Sequence, residues 1–141
     1  MDSETIESRI TDHQYAEEPR SLRLRLFRPA GTGPFPVVVN LHGGAWTKGD
    51  LEECRPRDEA IAAAGIASAA LDFRHAGDGY PTSLVDINFA VRWLKHHAAS
   101  LDLDPARVGL AGQSSGGHLA MLSAMRHAHD LSGFGEEPVP C

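Results

Sequence analysis

The sequence predicts an α/β domain: a mostly parallel sheet, antiparallel at one edge, with flanking helices. Three observations predict it. Val37-Val38-Val39-Asn40-Leu41 is a short β-branched run, the composition of a strand buried on both faces. Leu84, Ile87, Val91, Leu94 and Ala98 recur at spacings of three and four, an apolar stripe along one helix. Strand-like and helix-like segments alternate from residue 36 onward, which implies parallel strands joined by right-handed helical crossovers.

Residues 1–19 form a polar N-terminal segment that could hold a first edge strand. Leu22, Leu24 and Leu26 alternate with Arg23 and Arg25, the period of a strand with one wet face. Prolines and glycines between Pro29 and Pro36 mark a turn before the strand at 37–41. Pro56 can open a helix running to about Ala64, with Gly65 as its stop. Ile66 to Phe73 returns as a strand rich in small residues, followed by a loop from His75 to Pro81. Ser83 and Asp86 have the spacing of a capping box at the start of the striped helix. Asp86, Arg92, Lys95 and His96 lie off its stripe, and His96-His97 can meet free carbonyls at its end. Asp104-Pro105 makes a turn, Val108–Ala111 a short strand, and a last helix covers Ser115 to Arg126. The folded domain thus spans 20–126, and the Gly/Pro/Glu-rich stretch 127–141 reads as an irregular tail.

Composition narrows the function classes. Hydrophobic residues make up 42% and charged residues 23% of 141 residues, a globular balance. A net charge of −6 without a Lys/Arg cluster argues against a nucleic-acid partner. The N-terminus lacks a secretory pattern, and the weakly apolar stretch from Ala60 to Leu71 is too short to span a bilayer. Cys54 and Cys141 cannot build a multi-bridge framework, so a cytoplasmic location is expected.

Chemistry concentrates in two segments. Gly112-Gln113-Ser114-Ser115-Gly116-Gly117 satisfies G-x-S-x-G between an apolar strand and a helix. A sharp strand-to-helix turn there would lift Ser114 above the sheet as a nucleophile. The helix N-terminus behind it would face developing negative charge. The bland alternative is a Gly/Ser-rich helix start whose serine only caps. The second segment, His42-Gly43-Gly44-Ala45-Trp46, follows the 37–41 strand directly. The N–H groups of Gly43 and Gly44, joined by that of Ser115, would make a three-donor oxyanion hole. His42 reads as a loop-structuring residue rather than a base. Trp46 could line a substrate pocket or simply pack.

These segments, with Leu71-Asp72-Phe73-Arg74, Tyr80-Pro81, Asp104-Pro105-Ala106-Arg107-Val108 and the continuation His118-Leu119-Ala120, resemble the α/β-hydrolase superfamily of esterase/lipase type. The resemblance is to its hormone-sensitive-lipase-like and feruloyl-esterase-like groups and covers roughly residues 20–126. Ala45 stands where a third glycine is frequent, and Ser115 where alanine is usual; neither removes a backbone N–H. The short stretch before the first strand leaves little room for an N-terminal helical cap, which favours the feruloyl-esterase-like group. The resemblance implies carboxylic-ester hydrolysis through an acyl-enzyme, a small-molecule ester substrate and no cofactor. It also implies that this chain is the N-terminal part of the sheet, with later strands missing.

The family orders its triad Ser, then Asp/Glu, then His. The 141-residue chain ends 27 positions past Ser114, and one βα crossover takes roughly 30 residues. The triad acid and His are therefore expected outside this chain. Asp130, Glu136, Glu137, His118, His127 and His129 are present but not where the family places them, and His118 is expected to point away from the sheet's top edge. His127 and His129 lack a third ligand, so no metal site is expected. Asp72 and Arg74 could pair with each other or with neighbours to fix a loop. Without its next strand, the 108–111 strand would leave an uncovered edge open to self-association. The alternative function is a catalytically inactive truncated fragment or interaction module of the same fold. Nucleotide binding has no supporting glycine pattern.

Overall fold

The computed structural model describes residues 9–18, 20–79 and 81–125. Its elements are β1 (Ile10–Ala16), β2 (Leu22–Phe27), β3 (Phe35–Leu41), α1 (Arg55–Ala63), β4 (Ala67–Leu71), a 3-10 turn (Ala76–Asp78), α2 (Thr82–His97), β5 (Leu103–Gly112) and α3 (Ser115–Met125). The strands form one sheet in the order β1-β2-β4-β3-β5. β4, β3 and β5 run parallel, and β2 is antiparallel to both β1 and β4. Among the described residues the sheet is mixed, with its antiparallel pairs confined to one side.

The core follows from strand alternation. Val37, Val39 and Leu41 of β3 are buried in the cluster that holds Leu84, Ile87, Val91 and Leu94 of α2 and Leu119 of α3. Asn40 turns to the other face, where its side chain meets Asp58 of α1. All five residues of β4 are buried, and their small side chains let helices approach both faces. The α2 stripe is buried as its spacing predicts, and each of its large side chains contributes about 1.5–3 kcal/mol. α1 ends where Gly65, at φ +94°, turns the chain and donates its N–H to Ala62 O at 3.1 Å.

β1 is the edge strand that the 1–19 segment could hold, and its Asp12 pairs across the ladder with Arg23 and Arg25. Several other local expectations are corrected. The Ser83–Asp86 capping box does not form, because α2 starts one residue before Ser83 and Pro81 occupies the cap position. Ser83 Oγ instead donates to Arg74 O. Asp86 is buried, accepting from Arg74 N–H at 2.8 Å and from its guanidinium at 2.8 and 3.0 Å. A charged fork outcompetes an amide for that carboxylate. Arg74 therefore pairs with Asp86 rather than Asp72. β5 is longer than expected because it resumes pairing beyond an irregularity: Phe35 pairs with Leu103 and Val37 with Val108. The Asp104 turn sits inside that irregularity, with Ala106 N–H donating to Asp104 Oδ1 at 2.9 Å. At the end of α2, His97 Nδ1 donates to Trp93 O at 2.8 Å.

β5 lies at the sheet's edge among the described residues. Beside it runs a trough of about 440 Å³ lined by Leu110, Ala111, Ala120, Met121 and Ala124. Met121 and Met125 of α3 are exposed. No described helix is long and apolar enough to cross a membrane. Tyr80, the end of the last helix at Arg126, the 127–141 tail and residues 1–8 lie outside the described residues.

Candidate active site

Where β5 turns into α3, Ser114 has φ +55° and an exposed side chain. A non-glycine residue in this left-handed region costs about 1–3 kcal/mol, so its surroundings must impose it. They do so through close backbone contact. A Cβ on Gly116 would run into the carbonyl oxygens of Leu41 and His42, and one on Gly112 into the backbone of Gly116. Gln113 N–H donates to Leu41 O at 3.3 Å, and Gly116 N–H to Gln113 O at 2.9 Å. The start of α3 is thereby held against the C-terminal end of β3.

That packing brings the second segment to the serine. A Cβ on Gly43 would lie 3.0 Å from Gln113 O and 3.4 Å from Ser114 Cβ, so Gly43 backbone borders the serine directly. Gly44 at φ +129°, Ala45 at +53° and Trp46 at +65° continue as a turn closed by Thr47 N–H donating to Gly44 O at 3.0 Å. Substituting Gly44 would drive a Cβ into Lys48 O. Among the described residues, the N–H groups of Gly43, Gly44 and Ser115 donate to no backbone carbonyl outside helices and strands.

His42 is buried. Its Nδ1 donates to Gly43 O at 2.7 Å, and its ring stacks on Phe73 at 4.5 Å. Its Nε2 is buried without a partner among the described residues. His118, expected to point away from the sheet's top edge, accepts a hydrogen bond at Nδ1 from Nε1 of Trp46 at 3.2 Å, so it meets the loop that follows β3. Asp72 Oδ1 accepts from Leu51 N–H at 3.0 Å, and burial holds its carboxyl above the ordinary value.

A buried polar network, not foreseen from the sequence, lies beneath these loops. Asp58 of α1 is fully buried, and its Oδ1 accepts from Asn40 Nδ2 and Ser68 Oγ, both at 2.7 Å. Arg57 Nη2 donates to Asn40 Oδ1 at 2.6 Å, while Nη1 reaches Gln113 Oε1 at 3.4 Å. Arg57 thus connects the strand leading to the glycine loop with the residue before Ser114. The only sequence signal was Asn40 itself, a polar residue inside an otherwise apolar run.

Among the described residues, no imidazole or carboxylate is hydrogen-bonded to Ser114 Oγ, and no cluster of three metal-ligating side chains occurs. His127, His129, Asp130, Glu136 and Glu137 lie outside the described residues.

Strand order, serine turn and glycine loop together define part of an α/β-hydrolase sheet. The BD-FAE family model matches residues 24–137. The chain is 32% identical over 119 residues to the probable carboxylic ester hydrolase LipM of Mycobacterium tuberculosis, covering 81% of this chain and 28% of LipM. It is 39% identical over 101 residues to the carboxylesterase NlhH of the same species, covering 70% of this chain and 31% of NlhH. The propionate-bound esterase Est2 of the planctomycete Thermogutta terrifontis matches with a TM-score of 0.76 at 29% identity, covering 84% of this chain and 46% of Est2. This chain belongs to the BD-FAE family, within the esterase/lipase branch of the α/β-hydrolase superfamily. It spans about a third or less of the length of LipM and NlhH.

The buried network has a pH signature. Burial, the largest influence, raises the Asp58 carboxyl above its ordinary 3.8, against the hydrogen bonds from Ser68 and Asn40 and the charge of Arg57. The folded state therefore holds this proton more tightly than the unfolded chain. Its stabilisation is complete below pH 3.8 and declines as pH rises through the raised folded value. Asp58→Asn keeps an acceptor oxygen without the charge, so urea denaturation should show the variant gaining on wild type from pH 4 to 7. Asp58→Ala strands the Asn40 and Ser68 donors and should cost about 1–3 kcal/mol throughout. Wild type gaining on Asp58→Asn as pH rises would contradict this account of the network.

Proposed function

We propose that this chain carries the nucleophile and oxyanion-hole part of a serine carboxylic-ester hydrolase. The supporting observation is an exposed serine at φ +55° with Gly43 backbone directly beside it. In this reading Ser114 Oγ attacks the acyl carbonyl carbon, and the negative charge passes to the carbonyl oxygen. The N–H groups of Gly43, Gly44 and Ser115 bind that oxygen, and one such donor can be worth about 3 kcal/mol in the transition state. Collapse of the tetrahedral intermediate breaks the ester C–O bond and the alcohol leaves with a proton. Water then hydrolyses the acyl-serine.

A base must take the Ser114 proton, and a carboxylate must orient that base. Both come from outside the described residues in this reading. The names of LipM and NlhH and the esterase Est2 support the ester class. A net charge of −6 opposes polyanionic partners, in keeping with a small-molecule substrate and no nucleic acid. The absence of any described imidazole on Ser114 Oγ favours one second reading, an inactive interaction module of the same fold.

Hydrolysis of p-nitrophenyl acetate by the wild-type chain and by Ser114→Ala separates these readings. The protein-dependent rate should vanish in the variant, whereas equal non-zero rates would refute Ser114 as nucleophile, and no rate above background in either protein would favour the inactive module. The apolar trough along β5 carries a further expectation about the 141-residue chain itself. Each large side chain left exposed forfeits about 1.5–3 kcal/mol of burial. An uncovered strand edge invites pairing. Sedimentation at micromolar concentration should therefore show dimers or larger species, and a compact monomer would contradict that.

A further inference from the structure

We infer that Arg57 is a positioning residue for the reaction: its guanidinium keeps the glycine loop and the serine turn from drawing apart. The consequence for ester chemistry rests on the serine-hydrolase reading, whereas the linkage stands on the geometry of the guanidinium. Asn40 precedes Gly43 by three residues, and Gln113 directly precedes Ser114. Arg57, in the first turn of α1, donates from Nη2 to Asn40 Oδ1 at 2.6 Å and from Nη1 to Gln113 Oε1 at 3.4 Å. One planar group thus spans the two segments that meet at the candidate site. It acts through those two residues, not on an ester.

The backbone alone leaves room for such a tether. Gly116 against the Leu41 and His42 carbonyls stops α3 from coming closer to β3, but a steric stop does not oppose separation. The β3–β5 ladder ends at Leu41 and Gly112. The next bond, Gln113 N–H to Leu41 O, is 3.3 Å long, beyond the usual range of about 2.7–3.2 Å. At its β3 end the tether is firm. Adjacent residues on a helix do not face each other, and Asn40 joins Arg57 to Asp58 instead. Its Nδ2 donates to Asp58 Oδ1 at 2.7 Å while its Oδ1 accepts from Arg57, so the amide is fixed at both ends. Nη2 also meets Cys54 Sγ at 3.3 Å. Asp58 Oδ2 and Arg57 Nε have no partner among the described residues. The guanidinium is therefore committed to Asn40 and Gln113 rather than forked onto the buried carboxylate, and its long bond to Gln113 sets the position of the serine turn.

The test compares full-chain variants Arg57→Lys and Gln113→Met, alone and together. Lysine keeps the charge but offers one nitrogen in place of a fork, and methionine keeps the length of Gln113 without its acceptor. In the wild-type background Gln113→Met should shift the Asn40 side-chain amide signals in 15N NMR, because the guanidinium recentres on Asn40. In Arg57→Lys the same substitution should leave them in place. In p-nitrophenyl acetate hydrolysis, corrected for the folded fraction in urea denaturation, each single variant should lower kcat about tenfold, within the roughly 100-fold that a 1 Å misplacement can cost. KM should stay unchanged, and the double variant should fall no further than the singles. Arg107→Gln, which breaks an exposed pair with Asp104 beside the start of β3, should leave kcat unchanged. Additive losses in kcat, an effect confined to KM, an equal loss in Arg107→Gln, or Asn40 signals indifferent to Gln113→Met would each overturn the proposal. No Ser114-dependent turnover in the wild-type chain would instead defeat the serine reading, and the Asn40 response alone then upholds or overturns the linkage.

Discussion

The close approach of Gly116, in the first turn of α3, to the carbonyls of Leu41 and His42 at the end of β3 governs the candidate site. No side chain fits at that contact, so α3 begins directly against the strand end instead of a side chain's width away. The consequence is geometric. The N-terminal amides of α3 and the 43–44 backbone come to the same point, and Ser114 must adopt φ +55° to bridge β5 and α3. The cost of that conformation, about 1–3 kcal/mol, is held in place by hydrogen bonds on either side of the serine.

The same corner is supported from below by polar groups that would ordinarily be poor core material. Asn40, Asp58 and Ser68 are buried together and satisfy one another, apart from Asp58 Oδ2. Arg57 extends this set to Gln113. A network of this kind stabilises little on its own, but it fixes directions, because any shift of β3 against α1 leaves a buried donor unpaired. It couples the strand that ends in the glycine loop to the turn that presents the serine.

How much of this was legible in the sequence depended on the strength of each local signal. The α2 stripe and the Val37–Leu41 run are periodic over enough residues to overdetermine their elements, and both appear where predicted. G-x-S-x-G after a strand and the His-Gly-Gly segment marked the right corner because each glycine answers a specific backbone clash. β1 was faint, since an edge strand of sequence ITDHQYA is only partly buried and fully buries only Tyr15. Asp86 was assigned to a cap because spacing cannot show that Arg74, twelve residues away, offers a stronger partner. Asp58 was invisible for a related reason: a carboxylate in a first helical turn reads as solvated, and only the fold brings Asn40 and Ser68 to it. The position of His118 beside Trp46 likewise arises from two segments 72 residues apart.

Close packing at Gly116 can be tested with two variants that make the same chemical change. Gly116→Ala adds a methyl group against two carbonyl oxygens, whereas Gly109→Ala adds one with nothing within 4 Å. In urea denaturation Gly116→Ala should lose at least about 1–3 kcal/mol to overpacking. Gly109→Ala should be neutral or gain up to about 1 kcal/mol from reduced chain entropy in a strand. Equal stability of the two variants would contradict the claim that this contact shapes the site.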